Sequence, residues 1–229
     1  MLSEYFFASR EEASAECATR MESALRSSLR QNKSAAIVLS GGSSPADTLG
    51  KLSRANLSWD RVTLTLSDER WVAADHDDSN EKMLRETLLQ NNAVSAKVLP
   101  LFCPDLEATA APGRLQQKMS ELALPFAGVL LGMGADGHFA SLFPDFSGLE
   151  AALKPDNDNA FVAVKTAASP HERISMTLAT ILQSREILLL IFGNDKRQVY
   201  EDARKPDSAL PVAKLLAQSR VPLRVIWAP

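Results

Sequence analysis

Residues 35–45 read AAIVLSGGSSP, and this stretch decides the fold. The five apolar residues Ala35 to Leu39 form a run of the length and character of a fully buried strand. Gly41 and Gly42 end it, and Pro45 is well placed as the first residue of a helix reaching about Arg54. Buried strand, glycine turn and helix together make the opening of a βα unit.

The same pattern recurs outward in both directions. Upstream, residues 9–32 read as a helix: Ser9 with Glu12 makes a capping box, and Ala13, Cys17, Met21, Ala24, Leu25 and Leu29 form an apolar stripe. Downstream come a strand at 62–66, a loop at 67–79 and a helix at 80–90 entered through Asp78, with Glu81 three residues on. A weaker strand is expected at 97–101, and Pro112-Gly113 predicts a helix that begins near Pro112. A strand at 126–131 runs into a glycine-rich loop, and 146–159 reads as irregular surface structure. Further strands are expected at 161–164, 187–192 and 223–227, with helices at 177–182, 195–204 (entered through Asn194) and 212–218. No internal repeat or linker interrupts the series. The expectation is one α/β domain over residues 1–229, a mostly parallel, Rossmann-like sheet flanked by helices, with room for one antiparallel edge.

Composition narrows the function classes. The chain has 229 residues, a formal charge of −3, 45% hydrophobic and 23% charged residues, the usage of an ordinary folded protein. Near-balanced charge argues against a broad nucleic-acid-binding face. The longest strongly apolar runs, 126–131 and 187–192, fall far short of the roughly 20 residues of a membrane-crossing helix. Residues 1–10 lack a basic leader with an apolar stretch, so a cytoplasmic location is expected. Cys17 and Cys103 stand alone and read as reduced thiols, giving neither a disulfide framework nor a thiolate metal site.

In a parallel sheet the loops leaving the carboxyl ends of strands collect along one edge, where ligands bind. Gly41-Gly42-Ser43-Ser44 offers unhindered N–H groups and two hydroxyls, suited to an anion or equally to a tight turn with a serine cap. Ser67-Asp68-Glu69-Arg70 can be a solvated charged loop or, at a strand exit, a site in which Arg70 binds an anion. Residues 132–137 formally match G-x-G-x-x-G with Asp156 beyond, but Pro144 cuts short the helix a dinucleotide site requires. His138, two residues after Asp136, can act as a general base near neutral pH with the carboxylate setting its orientation. His76 and His171 read as surface residues, and three scattered histidines make no metal cluster. Arg173 and Lys196 are single cations that could join the Ser43 loop in neutralising a phosphate dianion.

Taken together, Leu39 to Pro45, Ser67-Asp68-Glu69-Arg70-Trp71-Val72, Asp78-Ser79-Asn80-Glu81, Gly132 to His138, Ala140-Ser141-Leu142-Phe143-Pro144 and Arg173-Ile174-Ser175-Met176-Thr177 resemble the motif series of bacterial 6-phosphogluconolactonases, in an order that covers most of the chain. The resemblance implies a fold similar to the sugar-phosphate isomerases and deaminases. It also implies hydrolysis of 6-phospho-D-glucono-1,5-lactone in the oxidative pentose phosphate pathway, with no cofactor and no metal. His138 would be the base that activates water, with Asp136, Arg70 and Asp68 completing the catalytic group. Gly41, Gly42, Ser43, Ser44, Arg173 and Lys196 would receive the substrate, chiefly its phosphate. The only partner implied is the small sugar-phosphate lactone, with no nucleic acid or membrane, and a monomer is expected. The related glucosamine-6-phosphate deaminases resemble the chain less, carrying a glutamate where Phe143 stands and a tyrosine where Arg70 stands. A non-catalytic sugar-phosphate sensor is the remaining alternative. The chain departs from the lactonase pattern at Phe139, commonly a threonine, and at Pro112-Gly113.

Overall fold

The structure is a computed structural model that describes all residues, Met1–Pro229. Seven parallel strands form one sheet: β1 (Leu2–Phe6), β2 (Ala35–Leu39), β3 (Val62–Leu66), β5 (Lys97–Val98), β6 (Gly128–Leu131), β9 (Ile187–Phe192) and β10 (Leu223–Ala228), between which β4 falls in chain order at Asp68–Arg70 and β7 and β8 at Phe161–Val164 and Arg173–Met176. The spatial order is β1-β10-β9-β6-β2-β3-β5. From β2 the chain builds outward through β3 to β5, then returns to β6 on the other side and builds through β9 and β10. The order therefore reverses between β2 and β6, which are hydrogen-bonded neighbours with Val38 opposite Val129. Loops leaving two such strands diverge and open a crevice between them.

Eight helices flank this sheet: α1 (Arg10–Gln31), α2 (Ala46–Leu52), α3 (Asn80–Thr87), α4 (Ala111–Lys118), α5 (Leu149–Ala152), α6 (Leu178–Ile181), α7 (Asn194–Ala203) and α8 (Pro211–Ala217). The Ser9 hydroxyl accepts from the Glu12 N–H at 3.2 Å, while the Glu12 carboxylate accepts from Ala8 rather than from the cap residue itself. Ala13, Cys17, Met21 and Leu25, spaced four apart, are fully buried along one face of α1, as the apolar stripe requires. β2, β6 and β9 are buried along almost their whole lengths, because helices cover both faces of a parallel sheet. No helix is long and apolar enough to cross a membrane.

The structure corrects several expectations. β1 was not expected: its burial alternates between half-buried and exposed, so it contributes too little apolar sequence to stand out, and it is recruited as an edge by pairing with β10. The seven-stranded sheet has no antiparallel edge. Antiparallel pairing occurs instead in a separate three-stranded sheet, β4-β8-β7, whose first strand lies inside the expected 67–79 loop. Ser79, not Asp78, caps α3, its hydroxyl accepting from Lys82 N–H, and the helix stops at Thr87. The strand at 97–101 shrinks to Lys97–Val98, and a short helix, α5, interrupts the irregular 146–159 segment. Pro45 precedes rather than begins α2, which ends at Leu52.

Candidate active site

A crevice of about 280 Å³ opens at the carboxyl ends of β2 and β6, lined by the loops that follow them and by the small sheet. Gly41, Gly42, Ser43, Ser44, Asp68, Arg70, His138, Arg173 and Lys196 all border it. Asp136 alone among the predicted site residues is not on its wall, but it contacts His138 from behind.

The β6 exit loop builds the imidazole-carboxylate pair. Gly137 turns the chain at φ 77°, its N–H donating to the Gly134 carbonyl, and the Gly134 N–H donates to the His138 carbonyl at 2.9 Å. Asp136 is thereby folded back on His138, with Oδ1 2.5 Å from Nδ1 and also accepting the His138 backbone N–H. A hydrogen shared at Nδ1 leaves Nε2 as the basic nitrogen. The His138 side chain is 26% exposed, so it is open to the crevice rather than sealed in the core. Gly134 lies directly beneath: a Cβ there would come within 2.2 Å of His138 Nδ1 and 2.6 Å of Asp136 Oδ1. This close approach, not cofactor binding, accounts for the glycine. No helix follows Gly137, the next being the four-residue α5, so the formal dinucleotide fingerprint has no structural counterpart.

The small sheet supplies the charges. Alternation along β4 sends Asp68 and Glu69 to opposite sides. Asp68 faces the crevice, accepts from the Ser67 and Ser141 hydroxyls at 2.7 and 2.6 Å, and lies 3.8 Å from Arg173. Glu69 is fully buried on the other side, where its carboxylate accepts the N–H groups of Arg70, Asn80 and Glu81 and the Ser79 hydroxyl. Burial outweighs those donors and pushes its carboxyl up to about 7. Asp68 is therefore the carboxylate that can meet a ligand, and Glu69 is the strut that fastens the start of α3 to β4.

Arg70 donates from Nη1 to the Asp78 carbonyl at 2.6 Å, while its Nε is buried without a partner. Arg173 is held by Ser169 through Nε, and burial draws its guanidinium below the usual arginine range, with Asp68 opposing the shift. Lys196, in the first turn of α7, makes no ion pair, and burial followed by the nearby Arg10 lowers its ammonium. Three cations thus border one crevice with a single buried carboxylate, Asp68, facing them. Ser43 and Ser44 do not cap α2, contrary to the turn-and-cap reading, and their hydroxyls make no hydrogen bonds within the protein.

Asn80 also lines the crevice and was not singled out from the sequence as a site residue, although it sits in the Asp78 to Glu81 motif. Its amide donates to the Asp68 carbonyl and lies so close to Gly41 that a Cβ there would fall 1.9 Å from Oδ1. Ala140, in the left-handed region at φ 49°, forms another part of the wall. Phe139 is fully buried in the core, so its replacement of the common threonine does not reach the crevice. His76 is exposed and His171 half-buried, in line with surface positions, and both approach Asp78, His171 Nε2 at 2.9 Å from its carboxylate. Phe143 packs beside His138 with ring centroids 4.2 Å apart.

Comparison with known proteins gives a consistent answer. The model of a family described as glucosamine-6-phosphate isomerases/6-phosphogluconolactonase matches residues 8–227. A 6-phosphogluconolactonase of Pseudomonas aeruginosa is 36% identical over 207 residues, covering 90% of this chain and 86% of the relative. One from Helicobacter pylori is 37% identical over 215 residues, covering 91% and 90%. The crystal structure of a 6-phosphogluconolactonase from Shewanella baltica superposes with a TM-score of 0.96 at 36% identity, covering 100% of this chain and 98% of that one.

Proposed function

The chain belongs to the glucosamine-6-phosphate isomerase/6-phosphogluconolactonase family, and from that premise we propose that it hydrolyses 6-phospho-D-glucono-1,5-lactone to 6-phospho-D-gluconate in the oxidative pentose phosphate pathway. The observation that carries the reading is one crevice bordered by an imidazole backed by a carboxylate and by three cationic side chains.

A lactone carbonyl is already electrophilic, so the enzyme needs to place a water, accept its proton and steady the developing oxyanion. His138 Nε2 takes the proton as the water oxygen bonds to the carbonyl carbon. Asp136 holds the ring and stabilises the imidazolium, a division of labour worth about 10²- to 10⁴-fold for the base. Arg70, which lines the crevice from β4, serves as oxyanion donor, a contribution of about 3 kcal/mol. When the tetrahedral intermediate collapses, the bond from the carbonyl carbon to the ring oxygen breaks, and the imidazolium returns its proton to that oxygen. The product acid ionises and releases one proton to solvent. Arg173, Lys196 and the Gly41 to Ser44 loop hold the phosphate at a distance from the reacting carbon, and Asp68 keeps Arg173 in place. No step calls on a metal or cofactor.

Phe143 favours lactone hydrolysis over ring-opening isomerisation, since it provides no second carboxylate beside His138 for a proton shuttle. We place the enzyme in the cytoplasm, as one domain acting as a monomer on a small substrate. The test is a proton-release progress curve on freshly made lactone, with spontaneous hydrolysis subtracted. Wild-type turnover with a loss of about 10²- to 10⁴-fold in His138→Ala is expected. Binding of 6-phosphogluconate without turnover would instead identify a sensor, and an undiminished His138→Ala would remove the imidazole from the chemistry.

A further inference from the structure

Phe143 is only 4% exposed, yet it lies outside the contiguous hydrophobic core that takes in its neighbours Phe139 and Leu142. Its ring is occupied instead by two charged or ionisable neighbours. The His138 imidazole lies against it, centroids 4.2 Å apart and planes tilted by 37°. The Arg173 guanidinium carbon sits 5.2 Å from the same ring centroid, within the range of a cation–π contact. A large aromatic side chain placed away from the main core, between a base and a cation, calls for an explanation beyond burial.

The tethers on those two neighbours supply it. The imidazole has one strong protein hydrogen bond, from Nδ1 to Asp136, and Gly134 beneath that edge presents no side chain. One bond at one ring atom leaves the ring free to rock about the contact, and rocking would move Nε2, the atom that meets the water. Arg173 is tied through Nε to Ser169 and more loosely through Nη1 to Ser141 at 3.4 Å and Asp68 at 3.8 Å. An aromatic face against both groups restricts each to one plane without competing for their hydrogen bonds.

We propose that Phe143 is a positioning residue for this reaction: its ring sets the plane of the His138 imidazole and fixes the separation between that base and the Arg173 cation. The proposal rests on the lactonase reading. It also gives the position a purpose of its own: an apolar plate here orients one imidazole, where a carboxylate would add a second proton carrier.

The experiment compares wild type with Phe143→Met, which keeps volume and apolarity but removes the ring, and Phe143→Tyr, which keeps the ring. Phe143→Leu replaces the methionine variant if circular dichroism shows that variant unfolded. The methionine variant is expected to lose about 10- to 100-fold in kcat on fresh lactone with KM changed less than threefold, and the tyrosine variant to recover most of the loss. Independently of turnover, the His138 ring-proton resonances should shift downfield when the shielding ring is removed, with melting temperatures compared in parallel. Equal kcat in folded Phe143→Met, or a loss shared equally by Phe143→Tyr, overturns the proposal. Unmoved His138 resonances overturn it as well. If wild type shows no turnover above the spontaneous rate while the resonances move as expected, the lactonase reading has failed and the positioning role for this reaction goes with it, although the stacking itself stands.

Discussion

Replacing Glu69 with glutamine tests the electrostatics that hold the site together. Both carboxylate oxygens of Glu69 are engaged, by Arg70 and Asn80 on one and by Ser79 and Glu81 on the other, at 2.7 to 3.2 Å. Burial nevertheless pushes the carboxyl up to about 7 from the 4.5 of an exposed glutamate. An acid whose folded value is raised binds its proton more tightly in the folded state. Its contribution to stability is therefore complete below pH 4.5 and is lost as pH rises through 7. Integrating that difference between pH 5 and pH 8 gives a loss of about 2 to 3 kcal/mol from this one group. Glu69→Gln has no proton to exchange, so its stability carries no such slope. Urea denaturation of both proteins at pH 5, 6, 7 and 8 should show the advantage of wild type over the variant shrinking by about that amount across the series. Parallel stability curves would refute the argument and show that the four donors hold the carboxylate charged throughout.

Three further outcomes follow from distances in the crevice. Gly134→Ala puts a methyl within 2.2 Å of the imidazole, so kcat should fall about 100-fold while circular dichroism stays native. Retention of full activity would show that the pair of Asp136 and His138 has no catalytic weight. Lys196→Ala and Arg173→Ala each remove one charge from a dianion's surroundings, and each should raise KM about 10- to 100-fold, at least as much as it lowers kcat. A selective fall in kcat for Lys196→Ala would place the lysine at the reacting carbon instead.

How far the sequence reveals this molecule depends on the element. The buried strands β2, β6 and β9 announce themselves because helices cover both faces and every residue is apolar. The loops leaving them could be read as a candidate site for the same reason, and nine of the ten residues named there line one crevice, with Asp136 behind His138. Of the small sheet only β7, at 161–164, is legible; β4 and β8 are not. β4 is Asp68-Glu69-Arg70, three charged residues that read as a solvated loop, and it is a strand only because β8 lies beside it and α3 satisfies Glu69. β8 is only four residues long. Choosing between Asp68 and Glu69 needed the direction each side chain takes from that strand, which no local pattern encodes. Asn80 was hidden for a related reason: its place in the wall depends on α3 docking against Gly41, far away in the chain.

The register of that small sheet sets Arg70 directly opposite Arg173. Like charges facing each other across a ladder loosen it, and the carboxylates of Asp68 (3.8 Å from Arg173), Glu69 and Asp78 oppose that repulsion in part. Backbone bonds join the two strands while like-charged guanidiniums face each other across them, so a dianion bound there is expected to strengthen the pairing. The ladder would then be braced by its cargo, and the melting temperature should climb with added inorganic phosphate but not with equal ionic strength of chloride. A flat response to both would mean that no anion bridges the two guanidiniums.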